Sequence, residues 1–495
     1  MKVATVGILA ALGMTLTSLS VWSLTPAHEP VAQITGGDLV LFDPEPSGPG
    51  PAAPVVRADF TAGGTIMVEG RLGNAVMQAG RDNQTYVFAR VFADDSARAT
   101  QPAPLNLAIV IDRSGSMRGK RLDNALAAAR GTIEGLRRGD VVSLIAYDAR
   151  SEVLAGPTTI DELSKARVIE ALSKVKAVGD TCISCALDAA EQALAGRQGM
   201  VNRALLLTDG EPTQGSKDVA SFERQSARLR EKGVSVSTIG VDVDYNERIL
   251  AAIARESNGR HYFVENAASL SKIFEAEQAS LKTTLAKDAE LVVELAPGVR
   301  VEHVFDRSFR QEGNKLFVPF GTISANEQKT LLIRLNVPRG AEGERAVAKL
   351  DLSYQDLVQA RRGSCSGELA AFISSDPARV TPLDPFVAAR VGRSETAASL
   401  VEANELFAQG RVAEAQRRLN TQLDELKSRR KQVAASAGPK AEQADKDLER
   451  QASAVGAANS GFSQPPPAPG QAPQDSRKGK AQARSNAEAA SDFGF

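Results

Sequence analysis

Histidine and cysteine are scarce: the 495 residues hold three of each, with one Trp and five Tyr. His28, His261 and His303 stand far apart and form no His-Glu-x-x-His, so a zinc centre of the usual nitrogen and sulfur donors is excluded and the three read as ordinary surface or core residues. No Gly-x-Ser-x-Gly elbow supplies a nucleophile, and no base can be named, so the chain reads as a non-enzyme. A surplus of either charge is also missing. With 59 basic against 60 acidic residues and few aromatics, neither the electrostatic footprint nor the stacking platform of a nucleic-acid binder is present.

What is there begins with an apolar stretch from Val3 to about Leu24 after Lys2, followed by Thr25-Pro26-Ala27, a small-residue cleavage site. Residues 1–27 read as an export signal or, given the roughly 20 residues that span a bilayer, as a retained N-terminal anchor. Both place the bulk of the chain outside the cytoplasm: periplasmic, on the cell surface or secreted. Residues 28–58 include FDPEPSGPGPAAP, a Pro/Gly-rich linker.

Within 59–103, TIMVEG and TYVFARVF alternate apolar and polar residues as half-buried antiparallel strands do. From 104 to 284 the pattern changes to wholly apolar runs, LNLAIVID, DVVSLIAYD, RALLLTDG and VSVSTIGVD, separated by amphipathic helical stretches. That alternation predicts an α/β, doubly wound parallel sheet covered on both faces. Residues 285–376 return to strand alternation (NKLFVPFGTI, KTLLIRLNVP, AVAKLDLSYQD) and predict an antiparallel β-sandwich, completed by the early strands. Residues 377–436 read as a helical hairpin broken at Gly410, similar to a lone tetratricopeptide unit. From 437 to 495 the composition falls to Ala, Gln, Ser, Pro and charge, and predicts a disordered tail.

Three segments carry chemistry. Asp112-Arg113-Ser114-Gly115-Ser116 follows the first apolar strand, Gly179-Asp180-Thr181 precedes a helix, and Asp209-Gly210 ends another strand. Loops at the carboxyl ends of parallel strands converge on one crevice. Asp112, Ser114, Ser116, Thr181 and Asp209 there would offer two carboxylates and three hydroxyls, hard donors suited to Mg2+, Mn2+ or Ca2+. With only two charged donors the ion keeps residual positive charge and an exchangeable position, which an Asp or Glu of a protein ligand can fill. A phosphate loop is excluded over Gly115 to Lys120, because the glycines are too close and Arg121 stands in place of Ser or Thr. Asp242 and Asp244, past a later strand at the same end, read as ordinary loop carboxylates.

Asp-x-Ser-x-Ser, the loop Thr and Thr-Asp-Gly together resemble the metal-ion-dependent adhesion site (MIDAS) of von Willebrand factor type A domains. The stretch from Leu105 to Leu281 is similar to that domain throughout. The resemblance implies a Rossmann-like fold with Mg2+ or Mn2+ on Asp112, Ser114, Ser116, Thr181 and Asp209. The wider arrangement is similar to bacterial exported proteins related to inter-alpha-trypsin inhibitor heavy chains and calcium-activated chloride channel homologues. It implies a cell-envelope adhesion or assembly module that binds protein. Cys182 and Cys185, directly after Thr181, depart from the family pattern. In an oxidising compartment they read as a disulfide staple, with a thiol-disulfide redox protein, or an accessory subunit of an envelope enzyme complex, as the alternative function. Cys365 is left odd.

Overall fold

Wholly apolar strands need cover on both faces, and alternating strands on one; the computed structural model satisfies both with one chain. It describes residues 57–97, 103–197, 199–435, 438–463 and 472–494. The signal or anchor segment and nearly all of the Pro/Gly linker lie outside the described residues.

The chain enters through β1 (Asp59–Gly63), β2 (Ile66–Leu72), β3 (Val76–Gln78) and β4 (Asn83–Ala93). Next come β5 (Leu105–Asp112), α1 (Lys120–Glu134), β6 (Val141–Tyr147), β7 (Ser151–Thr159), α2 (Glu162–Leu172) and α3 (Ile183–Leu194). The α/β part continues with β8 (Val201–Thr208), α4 (Val219–Glu231), β9 (Val234–Val241), α5 (Glu247–Glu256), β10 (His261–Val264) and α6 (Leu270–Lys282). Their sheet runs β10-β9-β8-β5-β6-β7. All neighbours are parallel except the edge strand β7, which returns antiparallel on β6. Every residue of β5, β6 and β9 is buried, as helices on both faces require. The half-exposed β7 (SEVLAGPTT) and the four-residue β10 carry too little apolar pattern to be read from sequence.

Seven further strands follow: β11 (Thr284–Leu295), β12 (Arg300–Phe305), β13 (Arg310–Glu312), β14 (Lys315–Ser324), β15 (Gln328–Val337), β16 (Gly343–Asp356) and β17 (Arg361–Ser374). They form sheets β1-β2-β4-β15-β12 and β13-β14-β11-β16-β17-β3, so the early strands β4 and β3 pair directly with β15 and β17, far later in the chain. One core fills the space between these sheets, including Ile66, Val87, Leu291, Phe320, Ile333 and Leu350.

The C-terminal part corrects the expected disordered tail. After α7 (Pro385–Ala408) and α8 (Val412–Ala434), joined at Gly410, come α9 (Pro439–Phe462) and α10 (Arg477–Gly494). In α9 the residues Ala441, Ala444, Leu448, Gln451, Val455, Ala458 and Phe462 are buried, alternating steps of three and four. That spacing lays one apolar stripe on a neighbouring helix, although the helix as a whole is polar. Phe462 stacks on Phe407 at 4.0 Å, and Arg390 donates to the carbonyls of Phe493 and Gly494, pinning the end of α10. Among the described residues no helix is long and apolar enough to cross a membrane.

Candidate metal centre

The ends of β5 and β8 deliver two carboxylates side by side. Asp112, the last residue of β5, is fully buried; its Oδ1 accepts from Ser114 N at 2.7 Å and its Oδ2 from Thr208 Oγ1 at 2.5 Å. Ser114 and Ser116 stand 3.1 Å apart at their hydroxyls, and Ser116 Oγ donates to Asp209 Oδ1 at 2.7 Å. Thr181 reaches the same place from the loop before α3. A Cβ built on Gly210 would lie 3.6 Å, an ordinary contact distance, from both Ser116 Oγ and Thr181 Oγ1, so the two hydroxyls border the same point. Backbone bonds lock the three loops together: Gly115 N donates to Gly179 O (3.1 Å), Cys182 N to Asp148 O (2.8 Å) and Thr213 N to Thr181 O (2.9 Å). All five sequence-predicted residues therefore meet in one crevice. Asp112, Ser114, Thr181 and Asp209 are buried while Ser116 is exposed, so the cluster opens outward on one side.

Burial pushes the Asp112 carboxyl up to about 7, against the hydrogen bonds from Thr208 and Ser114, and the neighbouring Asp209 adds to the rise. Burial raises Asp209 as well, opposed by the Ser116 hydroxyl and the Arg121 guanidinium. Two carboxylates raised together in a dry crevice are short of positive charge. Arg121 supplies part of it, with Nη1 donating to Asp209 Oδ2 at 2.8 Å and to Ser116 O at 3.1 Å. Its Nη2 donates to Asp242 Oδ2, and Asp242 also accepts from Arg477 of α10 at 2.7 Å. Burial alone would raise Asp242, but the two arginines outweigh it and hold the carboxyl below its usual range. Asp242 is thus a member of the rim rather than the ordinary loop carboxylate its sequence suggests. Thr208 belongs to the Thr-Asp-Gly segment read from sequence, while Arg121 and Arg477 are additions that no local pattern announces.

Among the described residues no three His, Cys, Asp or Glu side chains converge. Any cation at the crevice would rest on two carboxylates and hydroxyls, a set that fits a hard ion. Cys182 and Cys185 are joined by a disulfide, and Cys182, fully buried, caps α3 through its sulfur, which accepts from Cys185 N at 3.3 Å. The loop passes over it at Gly215 (φ +71°), where a Cβ would come within 2.7 Å of Cys182 Sγ. Cys365 lies on β17 in the sandwich, far along the chain from this crevice, and burial pushes its thiol up to about 11. His261 is buried, with Nδ1 2.9 Å from Thr238 Oγ1, and His303 is exposed; His28 lies outside the described residues.

Residues 106–276 match the profile of the von Willebrand factor type A domain. The chain carries a von Willebrand factor type A domain. An uncharacterised protein of Synechocystis sp. is 27% identical over 275 residues, covering 53% of this chain and 64% of its own length. The uncharacterised protein YfbK of Escherichia coli is 30% identical over 265 residues, 52% of this chain and 46% of its own. The human inter-alpha-trypsin inhibitor heavy chain H4 is 23% identical over 261 residues, 50% and 27% respectively. The matched part thus spans between a quarter and two thirds of these relatives. Two solved structures share the fold: a von Willebrand factor type A protein from Catenulispora acidiphila (TM-score 0.64, 21% identity, 75% of this chain and 89% of that one) and the ArnB paralogue VWA2 from Sulfolobus acidocaldarius (TM-score 0.55, 19%, 79% and 98%). Both likenesses extend beyond the type A domain, since its 171 matched residues are about a third of the chain.

Proposed function

We propose that the type A domain holds one divalent cation, Mg2+, Mn2+ or Ca2+, on Asp112, Ser114, Ser116, Thr181 and Asp209, and uses it to bind a protein ligand through an Asp or Glu. The observation that carries this reading is the meeting of hydroxyls from two separate loops over two buried carboxylates, with only Ser116 exposed. When bound, the ion supplies a positive centre with an open position for an acidic side chain. Asp112 stays anchored by Ser114 N and Thr208, and Asp209 by Ser116, so the donors are oriented before any ligand arrives. The Cys182–Cys185 disulfide sets the start of α3 beside Thr181 and serves as a staple; with Cys182 buried, thiol exchange is the weaker reading. The N-terminal apolar segment supports an exported, cell-envelope setting for adhesion or assembly, and the crevice supports binding rather than catalysis.

Calorimetric titration of the full chain with MnCl2 tests the first step: one ion per chain is expected, bound much more weakly in Asp112→Ala. Absence of uptake by the native chain overturns the reading. A pull-down from envelope extract, with and without chelator and with Asp209→Ala, tests the second: partners retained equally under all three conditions would show that the metal face is not the binding face.

A further inference from the structure

The helix expected to be disordered leads back to the metal face. Arg477 and Lys480, on the first turn of α10, pair with Asp242 (2.7 Å) and Asp244 (2.9 Å) just beyond β9. Two turns on, Arg484 pairs with Glu247 (2.5 Å), donates to Tyr245 O (2.6 Å) and lies over the Tyr245 ring. Asp242 is shared: Arg477 holds Oδ1 and Arg121 holds Oδ2, while Arg121 also holds Asp209. An unbroken alternation of charge, Asp209, Arg121, Asp242, Arg477, therefore runs from a proposed metal donor to the C-terminal helix. Asp242 bridges it in a left-handed backbone conformation (φ 64°), which orients its carboxylate between the two arginines. Beside the chain lies a cleft of about 860 Å³ lined by Lys120, Arg121, Asn124, Asp242, Asn266 and Arg477, so the Arg121 guanidinium has room to move.

From this geometry we propose that Arg121 and Asp242 couple the docking of α10 to the metal face, so that cation uptake and helix docking oppose each other. The inference rests on the metal reading above. A divalent ion beside Asp209 repels the Arg121 guanidinium, whose other anchor is Asp242. Arg121 moving onto Asp242 neutralises the carboxylate that Arg477 uses, and the start of α10 is left with only Lys480–Asp244 to hold its first turn. The end of the helix stays put, because Arg390 grips the Phe493 and Gly494 carbonyls from the bundle. Arg121 is a positioning residue in this scheme, and α10 is the element whose docking responds. Coupling between two sites is reciprocal, so whatever factor the ion exerts on the helix the helix exerts on the ion.

The test uses the full chain and Mn2+ alone. Arg477 is largely exposed, so Arg477→Gln keeps the fold while cutting the relay. It should tighten Mn2+ by about fivefold, the order expected for removing one charge near a divalent ion. Lys480→Gln removes the same charge from the same turn but leaves Asp242 alone, and should change the affinity by less than about twofold. Asp242→Asn retains a residue that tolerates the left-handed conformation, and in that background Arg477→Gln should have no further effect. Hydrogen exchange gives a second readout: with Mn2+, amides of 477–483 should exchange faster while those near Phe493 do not change. Equal effects of Arg477→Gln and Lys480→Gln, or unchanged exchange at saturating Mn2+, overturn the coupling while leaving the metal site intact. No Mn2+ uptake by any variant overturns the metal reading and the coupling with it.

Discussion

The two ends of the parallel sheet are both polar, yet they are built on opposite principles. At the amino ends of the strands, against the sandwich, the charges close on one another. Glu277 accepts from Ser237 (3.0 Å) and Tyr262 (2.5 Å), Arg203 donates to Ser237 (3.2 Å), and Glu327 takes both Arg260 (3.1 Å) and Lys329 (3.8 Å). Burial pulls the Lys329 ammonium down to about 8, partly restored by Glu327. At the carboxyl ends, Asp112 accepts only from neutral groups, Ser114 N and Thr208, and Asp209 shares a single arginine with Asp242. The first arrangement is rich in cations, with the buried Arg203 Nε left without a partner, and joins two domains; the second is short of cation and faces solvent. What separates them is charge balance rather than polarity, and a site shows itself where the balance is left incomplete.

The largest effect is expected at the amino end. Glu277→Ala leaves the Tyr262 and Ser237 hydroxyls without their acceptor in a buried interface, and should cost about 3 kcal/mol in urea unfolding. A cost under about 1 kcal/mol would mean this end is as open as the other. Asp112→Ala should instead weaken Mn2+ binding by about 100-fold, or roughly 2.7 kcal/mol of binding energy, and lower metal-free stability little. A large loss of stability without metal would break the contrast.

Proton dependence sharpens it. With Asp112 pushed up to about 7, an arriving ion must displace a proton, so Mn2+ affinity should fall as the pH drops below about 7. Calorimetry in buffers of different ionisation enthalpy should register the released proton. His261, by contrast, is held down to about 3 by burial, with the Arg484 charge adding to the fall. Its folded value lies below the unfolded one, so its contribution is present above about 6.5 and is lost as the pH falls toward 3. His261→Gln should flatten that part of the stability curve; an unchanged acid limb would count against the buried, neutral imidazole. The smallest effect belongs to neither end: Arg255–Glu223 is an exposed pair at 2.8 Å, and Arg255→Ala should change stability by less than about 0.5 kcal/mol.

Much of this molecule was legible before folding. The apolar runs of β5, β6, β8 and β9 announce a parallel sheet because both faces must be covered, and the Asp-x-Ser-x-Ser and Thr-Asp-Gly segments follow two of those strands directly. The edge strand β7 escaped because half-exposed residues leave no strong period. Composition misled over α9, where a polar average hid the buried stripe from Ala441 to Phe462.

Local pattern alone determined which strands are buried, and which carboxylates and hydroxyls follow them, because these depend on residues a few positions apart. Only the tertiary structure decided that Arg121 would hold Asp209 and that Arg477, 235 positions from Asp242, would close the same chain of charge. Such pairings depend on how the sheet, the sandwich and the helical bundle pack, and side chains so far apart in sequence have no shared period by which one could reveal the other.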